Sequence, residues 1–506
     1  MESALRYFDN YLNPLLLREL RQLVRNRYII VLINLFIAVL VLTCVFTVLV
    51  VDRPQDRATG QGLFAALTGI MGFACFLTVV VYTSVVTATE RINGDLMFAS
   101  ALKPSQIVLG KFYSGMILTF LLMSITLPFV TLAYLLRGLD FQMVLISFGM
   151  TFLMIQVMNA LAIFIFSNVK THVHTFVGII ASGFICITGF NIGVSLLVFG
   201  GGNDWTQFFS VALSLLALLG FFLALAVATV APPTANRLLP LRIIVTSTLL
   251  LSLAYCCFIF AGSGDIFEGW TIFWSFALIP LLMLVVCERE TWTYRVRKTI
   301  PGNFVLRMLA FPFYTGSPCG LVWIALLAGV IVFIGATICV TYQTRFFTDN
   351  VFGFFSDEVW KLILAWMFAF NYCVTALLLR SFLFPKVPTA KIWAIALALL
   401  MLGTFGSMLT FYLMEGDLFD ASDRYSAHIL SALNPFMLTD NYDQTLRFFA
   451  ATAWTGLLML PFLFWFALRI REFTPSPPSD MMSLEDAIAI VKHADENPMV
   501  KGKREN

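Results

Sequence analysis

The chain has 506 residues, of which 59% are hydrophobic and 12% are charged. An average soluble domain has about 25% charged residues, so this composition excludes an ordinary soluble protein and predicts one that lies mostly in a lipid bilayer. The formal net charge of +3 is too small to favour a nucleic-acid partner.

A charged tail, residues 1–27, precedes the first apolar run, and its pattern predicts no secretory signal. Asn13 and Pro14 suit the cap and first turn of a helix over residues 13–27. The predicted apolar and basic faces of this helix are Leu16, Leu20 and Val24 and, opposite them, Arg18, Arg21 and Arg25. We expect an interfacial helix, and two roles stay open: a basic anchor on anionic headgroups or a specific mechanical part.

Twelve apolar runs follow, each of about 20 residues, the length that an α-helix needs to cross a bilayer. They are residues 28–51, 63–89, 112–136, 141–167, 175–200, 207–231, 243–262, 270–287, 319–342, 359–384, 391–414 and 448–470. Because a helix satisfies its backbone hydrogen bonds internally in lipid, the predicted fold is an all-α, polytopic membrane protein with about twelve transmembrane helices.

The distribution of Lys and Arg predicts the orientation of the spans, because basic residues in short loops stay on the cytoplasmic side. With the amino terminus inside, 25 of the 32 basic residues fall in inner segments, whereas acidic residues divide evenly, 14 inside and 15 outside. Both termini are therefore expected in the cytoplasm. The predicted domains are a tail with the amphipathic helix (1–27), a six-helix unit (28–231), an inner linker (232–242), a second six-helix unit (243–470) and a tail with a short amphipathic helix (471–506).

A polar segment, residues 90–111, separates the second and third predicted spans and reads ERINGDLMFASALKPSQIVLGK. Glu90, Arg91 and Asp95 lie where the apolar run stops, residues 96–102 favour a short helix, and Pro104 ends it. A second Glu-Arg pair, Glu288 and Arg289, opens a long inner loop six spans later. A degenerate duplication of a six-helix unit is one hypothesis, although the second half has no counterpart of the 13–27 helix.

The predicted spans have no ionisable group near their middle, where an ion-driven carrier or proton pump needs one. Their interior polar side chains include the neutral amides Gln156, Asn159, Asn191 and Asn371. Gln156 and Asn159 share a helical face and are most simply interhelical hydrogen-bond partners, with the lining of a substrate path as the alternative. Gradient-driven transport is therefore disfavoured.

The chain has no nucleotide-binding loop, since Gly110 and Lys111 are followed by Phe112 and no Gly-xxxx-Gly-Lys-Ser/Thr occurs. The spacing of its cysteines is not typical of a disulfide framework or a metal site. We therefore predict no catalytic residue, metal or cofactor in this chain. If the protein moves a substrate, the energy must come from an ATPase on another polypeptide.

Residues 13–140 resemble the permease subunits of type 2 ATP-binding-cassette transporters of the exporter branch. Those subunits begin with an amphipathic elbow helix, to which residues 13–27 are similar. After their second span they have a Glu-Arg-x-x-Gly stretch, a Leu/Pro turn and a Gly-Lys. The corresponding residues here are Glu90-Arg91-Ile-Asn-Gly94, Leu102-Lys-Pro104 and Gly110-Lys111.

The resemblance implies that the segment after the second span is a coupling helix that docks on a cytoplasmic ATP-binding-cassette ATPase, where ATP binds. The implied docking residues are Glu90, Arg91, Gly94, Asp95, Leu102 and Pro104. It also implies export of a substrate across a bacterial cytoplasmic membrane by a chain that is not itself an enzyme. The family's usual subunit has six spans and pairs with a second permease chain, so a fused pair and a six-helix unit with an added module both stay open.

Two other functions stay open. A membrane enzyme acting on lipid-linked substrates would use outward carboxylates, for which the candidates are Asp52, Asp56, Glu415, Asp417, Asp420 and Asp423. The last four could surround a cation, but a solvated acidic loop is the more common explanation of such a cluster. A gradient-driven carrier with twelve spans is the other option, and the uncharged interior disfavours it. A neutral, apolar interior fits lipids, peptides, drugs and polysaccharide precursors alike.

Overall fold

The computed structural model describes residues 14–50, 57–93, 103–136, 141–167, 205–232, 235–259, 264–289, 292–342, 357–415, 434 and 444–475. Every regular element within these ranges is a helix. Eleven of the described helical stretches are long and apolar enough to cross a membrane, which confirms the prediction of an all-α, multi-pass membrane protein. The predicted span at 175–200 lies outside the described residues.

The chain forms two compact units. Unit 1 is Met1–Pro232 with Pro240–Thr248, and unit 2 is Pro233–Leu239 with Leu249–Asn506. The described helices of unit 1 are α1 (Pro14–Arg25), α2 (Arg27–Val50), α3 (Arg57–Cys75), α4 (Val81–Asn93), α5 (Pro104–Leu135), α6 (Phe141–Ser167) and α7 (Trp205–Val230). A π-helical segment, Phe76–Val80, joins α3 to α4, so these two form one continuous span.

Helix α5 is the centre of unit 1, where it contacts α1, α2, α3, α6 and α7. Its Leu122 is completely buried and belongs to the same apolar cluster as Leu40 of α2 and Leu67 of α3. The hydroxyl of Thr119 donates to the carbonyl of Gly115 at 2.9 Å, which satisfies a polar side chain inside the helix itself. A displacement of α5 therefore changes the packing of most of unit 1.

The start of α5 corrects the sequence prediction, which began this span at residue 112 and made Pro104 the end of a short helix. Instead, Pro104 is the first residue of α5. Proline suits this position, because it has no N–H and its fixed φ matches the first turn of a helix. At 32 residues α5 is about 48 Å long, against about 30 Å for the hydrocarbon core, so part of the helix extends beyond the core.

Unit 2 and the residues that join it to unit 1 contain the other helices. They are α8 (Leu239–Ile259), α9 (Gly264–Val286), α10 (Tyr294–Arg297), α11 (Phe304–Ala310), α12 (Ser317–Tyr342), α13 (Asp357–Phe382), α14 (Ile392–Met401), α15 (Ser407–Glu415) and α16 (Gln444–Arg471). A π-helical segment, Leu402–Gly406, joins α14 to α15. Helix α8 begins inside the predicted linker 232–242, at Leu239.

A folded turn joins α9 to α12 in unit 2. Gly316 has a φ of 132°, a left-handed conformation that favours glycine, and its N–H donates to the carboxylate of Glu288. The indole of Trp292 donates to the carbonyl of Thr315 at 2.7 Å and its ring lies 5.2 Å from that of Phe473. Glu288, of the second Glu-Arg pair, therefore has a structural role within its own unit.

A short helix, α11, precedes α12, although the sequence indicated no such helix in the second half. The side chain of Asn303 caps it by accepting a hydrogen bond from the N–H of Val305 at 3.2 Å. None of its side chains is buried. With seven residues against the twelve of α1, α11 is too short for an amphipathic repeat to reveal it in the sequence.

Candidate coupling site

The predicted coupling segment is described only at its two ends. Glu90 and Arg91 lie in the last turn of α4, whose backbone is helical to Asn93. Pro104 opens α5, and the N–H of Lys103 just before it donates to Gln106 Oε1 at 3.1 Å. Gly94, Asp95 and Leu102 lie outside the described residues. Whatever conformation residues 94–102 adopt, they connect the end of α4 directly to the start of α5.

Helix α1 buries only part of the predicted apolar face. Leu16 is buried and Leu20 is half-buried, as predicted, whereas Val24 is 72% exposed and Leu23 is buried instead. The buried face also includes Glu19, which is only 2% exposed. A charged residue normally lies on the outer face of an amphipathic helix. The apolar pattern alone therefore does not determine which face of α1 is buried.

The partner of Glu19 explains its burial. Lys111 Nζ in α5 lies 3.4 Å from Glu19 Oε1, and the two side chains are 5% and 2% exposed. Arg18 Nη2 lies 3.6 Å from the same carboxylate oxygen. Lys111 is seven residues into α5, about 10 Å from its start. This buried ion pair therefore joins α1 to the start of α5, at the last residue of the polar segment 90–111.

Two buried amides connect α5 to α6 deeper in the unit. Gln156 Nε2 donates to Thr119 Oγ1 at 3.2 Å, and Asn159 Nδ2 donates to the carbonyl of Phe112 at 3.2 Å. The Asn159 side chain lies against Gly115, where an added Cβ would be 2.9 Å from its Cγ. Within the described part of the chain, the amide oxygens of Gln156 and Asn159 are buried without a hydrogen-bond partner. In this structure both residues are interhelical contacts.

Asn371 makes a comparable contact in unit 2. Its Nδ2 donates to the carbonyl of Ala451 at 3.1 Å, and its Oδ1 accepts from Thr455 Oγ1 at 3.0 Å. The side chain is completely buried between α13 and α16. Asn371 thus joins two helices in this structure, and Asn191 lies outside the described residues.

The charged residues of the described spans lie near helix ends. Arg242 and Arg447, each the fourth residue of its helix, are both 1% exposed. Lys111 is the eighth of the 32 residues of α5. Complete burial of these side chains was not predicted, because the sequence shows only that they flank apolar runs.

The carboxylates proposed for an enzyme are almost all outside the described residues. This applies to Asp52, Asp56, Asp417, Asp420 and Asp423, whereas Glu415 is the last residue of α15. No described contact therefore connects these residues into a site.

No protein-family model matches the chain, and no curated protein or solved structure is significantly similar to it. What the chain does is therefore inferred from its own residues and their contacts.

Proposed function

We propose that this multi-pass membrane protein is the permease subunit of an ATP-binding-cassette transporter of the type 2, exporter branch. A separate cytoplasmic ATPase supplies the energy and holds the ATP. The sequence support is the stretch from Glu90 to Lys111, with its Glu-Arg-x-x-Gly, Leu/Pro and Gly-Lys elements. The proposed location is a bacterial cytoplasmic membrane, with the termini inside.

The observation that carries the proposal is the connection of this segment to two helices at once. It continues directly into α5, whose first residue is Pro104. Lys111, at its end, is ion-paired with Glu19 of α1. A partner that displaces residues 90–104 must therefore move α5 and α1 together. Because α5 contacts five other helices of unit 1, that movement changes the packing of the unit.

The mechanism is a shift between two packings of the helices. ATP binding closes the partner ATPases, the docked segment is displaced, and α5 carries the displacement into the bilayer. The charged side chains of Glu90, Arg91 and Asp95 contact the ATPase, and Gly94 permits the turn after α4. The absence of a charged residue near the middle of the described spans fits a bundle that is driven from outside the bilayer.

The test is association with an ATPase encoded beside this chain. The two proteins are co-expressed, the full chain is affinity-purified from detergent, and the retained ATPase is quantified. Replacing Glu90 and Arg91 with Ala is expected to lower retention about tenfold, because charge-assisted contacts at a docked surface are lost. The double variant Asp52→Ala with Arg53→Ala is the matched control, since it removes an acid-base pair from a predicted outer loop. Equal retention by both double variants would contradict the proposal.

A further inference from the structure

An open cleft of about 790 Å³ lies between α1 and α4 in unit 1. Arg18, Arg21 and Arg25 line one wall. Their spacing of three and four residues places them on one face of α1. Among the described side chains that line the cleft there is no Asp or Glu, and the strongest electrostatic feature of this lining is the row of guanidinium groups.

The charge of this wall is only partly compensated. The acidic residue of α1, Glu19, is turned to the opposite, buried face and paired with Lys111, and Arg18 shares that carboxylate at 3.6 Å. Arg21 and Arg25 are exposed, and no carboxylate of the described ranges lies within ion-pair distance of either. The ion pair that fixes α1 on α5 therefore leaves two arginines directed at the cleft with their charge available.

The wall that α4 contributes is largely apolar and consists of Tyr82 and Val86. On the side of α1, Leu17, Gln22 and Asn26 lie beside the arginines. Both α4 residues belong to the second membrane span, Gly60–Thr89. Val86 is seven residues before the end of α4, about 10 Å along the helix. Because this helical stretch is long and apolar enough to cross a membrane, we expect the α4 side of the cleft to face the acyl region and the arginines to lie nearer the membrane surface.

We infer that this cleft binds an anionic membrane phospholipid, with the headgroup phosphate on Arg21 and Arg25. Guanidinium groups pair with phosphate oxygens through two parallel hydrogen bonds, and a phosphate is the anion that a membrane offers at this depth. The acyl chains then lie against Tyr82 and Val86. A soluble phosphate leaves that apolar wall uncovered, so the combination of walls favours a lipid.

The bound lipid has a structural consequence for α1. Lys111 of α5 holds one face of this helix, and the lipid connects the opposite face to α4. Helix α1 is then fixed to both helices that flank residues 94–102. This site goes beyond the proposed transport function and does not require a partner ATPase.

Lipid retention by the purified full chain tests the inference. The chain is exchanged into detergent with added dioleoylphosphatidylglycerol, and bound lipid is counted by native mass spectrometry. Dioleoylphosphatidylcholine and inorganic phosphate are the comparison ligands. Replacing Arg21 and Arg25 with Gln is expected to lower retention of the anionic lipid about tenfold, because both phosphate contacts are lost. The matched control replaces Lys386 and Lys391 with Gln. Both are exposed basic residues of another predicted inner loop, and their replacement is expected to leave lipid retention unchanged.

A second variant tests the apolar wall without a change of charge. Val86→Gln is expected to lower retention of the anionic lipid severalfold, because it places an amide against the acyl chains. Unchanged retention in this variant would place the lipid elsewhere on the basic surface and overturn the assignment. Equal binding of the phosphatidylcholine would overturn it too, and so would displacement of the anionic lipid by millimolar inorganic phosphate.

Discussion

The two units each join a pair of spans through a buried asparagine, but the two amides differ in how completely they are bonded. In unit 2 both polar atoms of Asn371 have partners, the carbonyl of Ala451 at 3.1 Å and the hydroxyl of Thr455 at 3.0 Å. In unit 1 Asn159 donates to the carbonyl of Phe112, while its own oxygen has no partner among the described residues. A buried polar atom without a partner costs about 1–3 kcal/mol.

This difference indicates which helix pair repacks more readily. The contact of α5 with α6 carries an energetic cost that the contact of α13 with α16 does not. Helix α5 is also the helix that follows the proposed coupling segment, and it is fixed to α1 by a buried ion pair. We therefore expect α5 and α1 to move against α6, while α13 and α16 keep their contact.

The largest effect is expected for Glu19→Ala, which removes the contact that holds α5 to α1. Lys111 would keep its charge at a side-chain exposure of 5%, and breaking one side of a buried ion pair costs about 3–5 kcal/mol. The thermal unfolding midpoint of the purified chain in detergent should fall accordingly. The double variant Glu19→Leu with Lys111→Met removes both charges and should restore most of the lost stability. An unchanged midpoint for Glu19→Ala would show that α5 is held by other contacts.

Gly115→Ala is expected to have the next largest effect, because it acts on the less completely bonded pair. The new Cβ would lie 2.9 Å from Asn159 Cγ, so the amide must leave its site, at a cost of about 1–3 kcal/mol. Gly456 of α16 is the matched control, since a Cβ there meets nothing within 4 Å. Its replacement by Ala should leave the unfolding midpoint the same or higher. Equal losses at both glycines would contradict the close contact at Gly115.

The same substitution at the two asparagines tests the comparison itself. Asn371→Ala removes two hydrogen bonds and should cost about 1–2 kcal/mol in addition to the cavity. Asn159→Ala creates a cavity of similar size, but it also removes a buried oxygen without a described partner, so it should cost about 1 kcal/mol less. Unfolding midpoints of the two variants measure the difference. Equal costs would mean that residues outside the described ranges bond the oxygen of Asn159.

The smallest effect is expected for Gln156→Met. This change removes the hydrogen bond to Thr119 at 3.2 Å. It also removes a buried amide oxygen that has no described partner, and with it the cost of burying that oxygen. The two contributions nearly cancel, so the stability should change by less than about 1 kcal/mol. A larger loss, measured by the same unfolding assay, would show that Gln156 is as firmly bonded as Asn371.

The fold class was predictable because lipid requires long apolar helices, and apolar runs are visible in a sequence. The interhelical bonding of Gln156 and Asn159 also followed from their spacing on one helical face. The start of α5 was missed because Pro104 was interpreted as the end of a short helix, whereas it is the first residue of α5.

The contacts of α1 could not be predicted for a different reason. The face of a helix that is buried depends on its partner, and Lys111 is 92 residues from Glu19 in sequence. The amphipathic pattern therefore placed Val24 inward, although it is exposed, and it did not indicate that Glu19 is buried. The folded turn around Gly316 could not be predicted for the same reason. Its Trp292 packs against Phe473, which is far away in the sequence.

The most direct test of the central claim is a photo-reactive amino acid placed at Asp95 in cells that also express the neighbouring ATPase. If residues 90–104 transmit force from that ATPase, illumination yields a covalent adduct between the two proteins. The same amino acid at Arg137, in a predicted outer loop, is expected to yield none. Absence of the ATPase adduct at position 95, or reaction there with an extracellular impermeant reagent, would contradict the account.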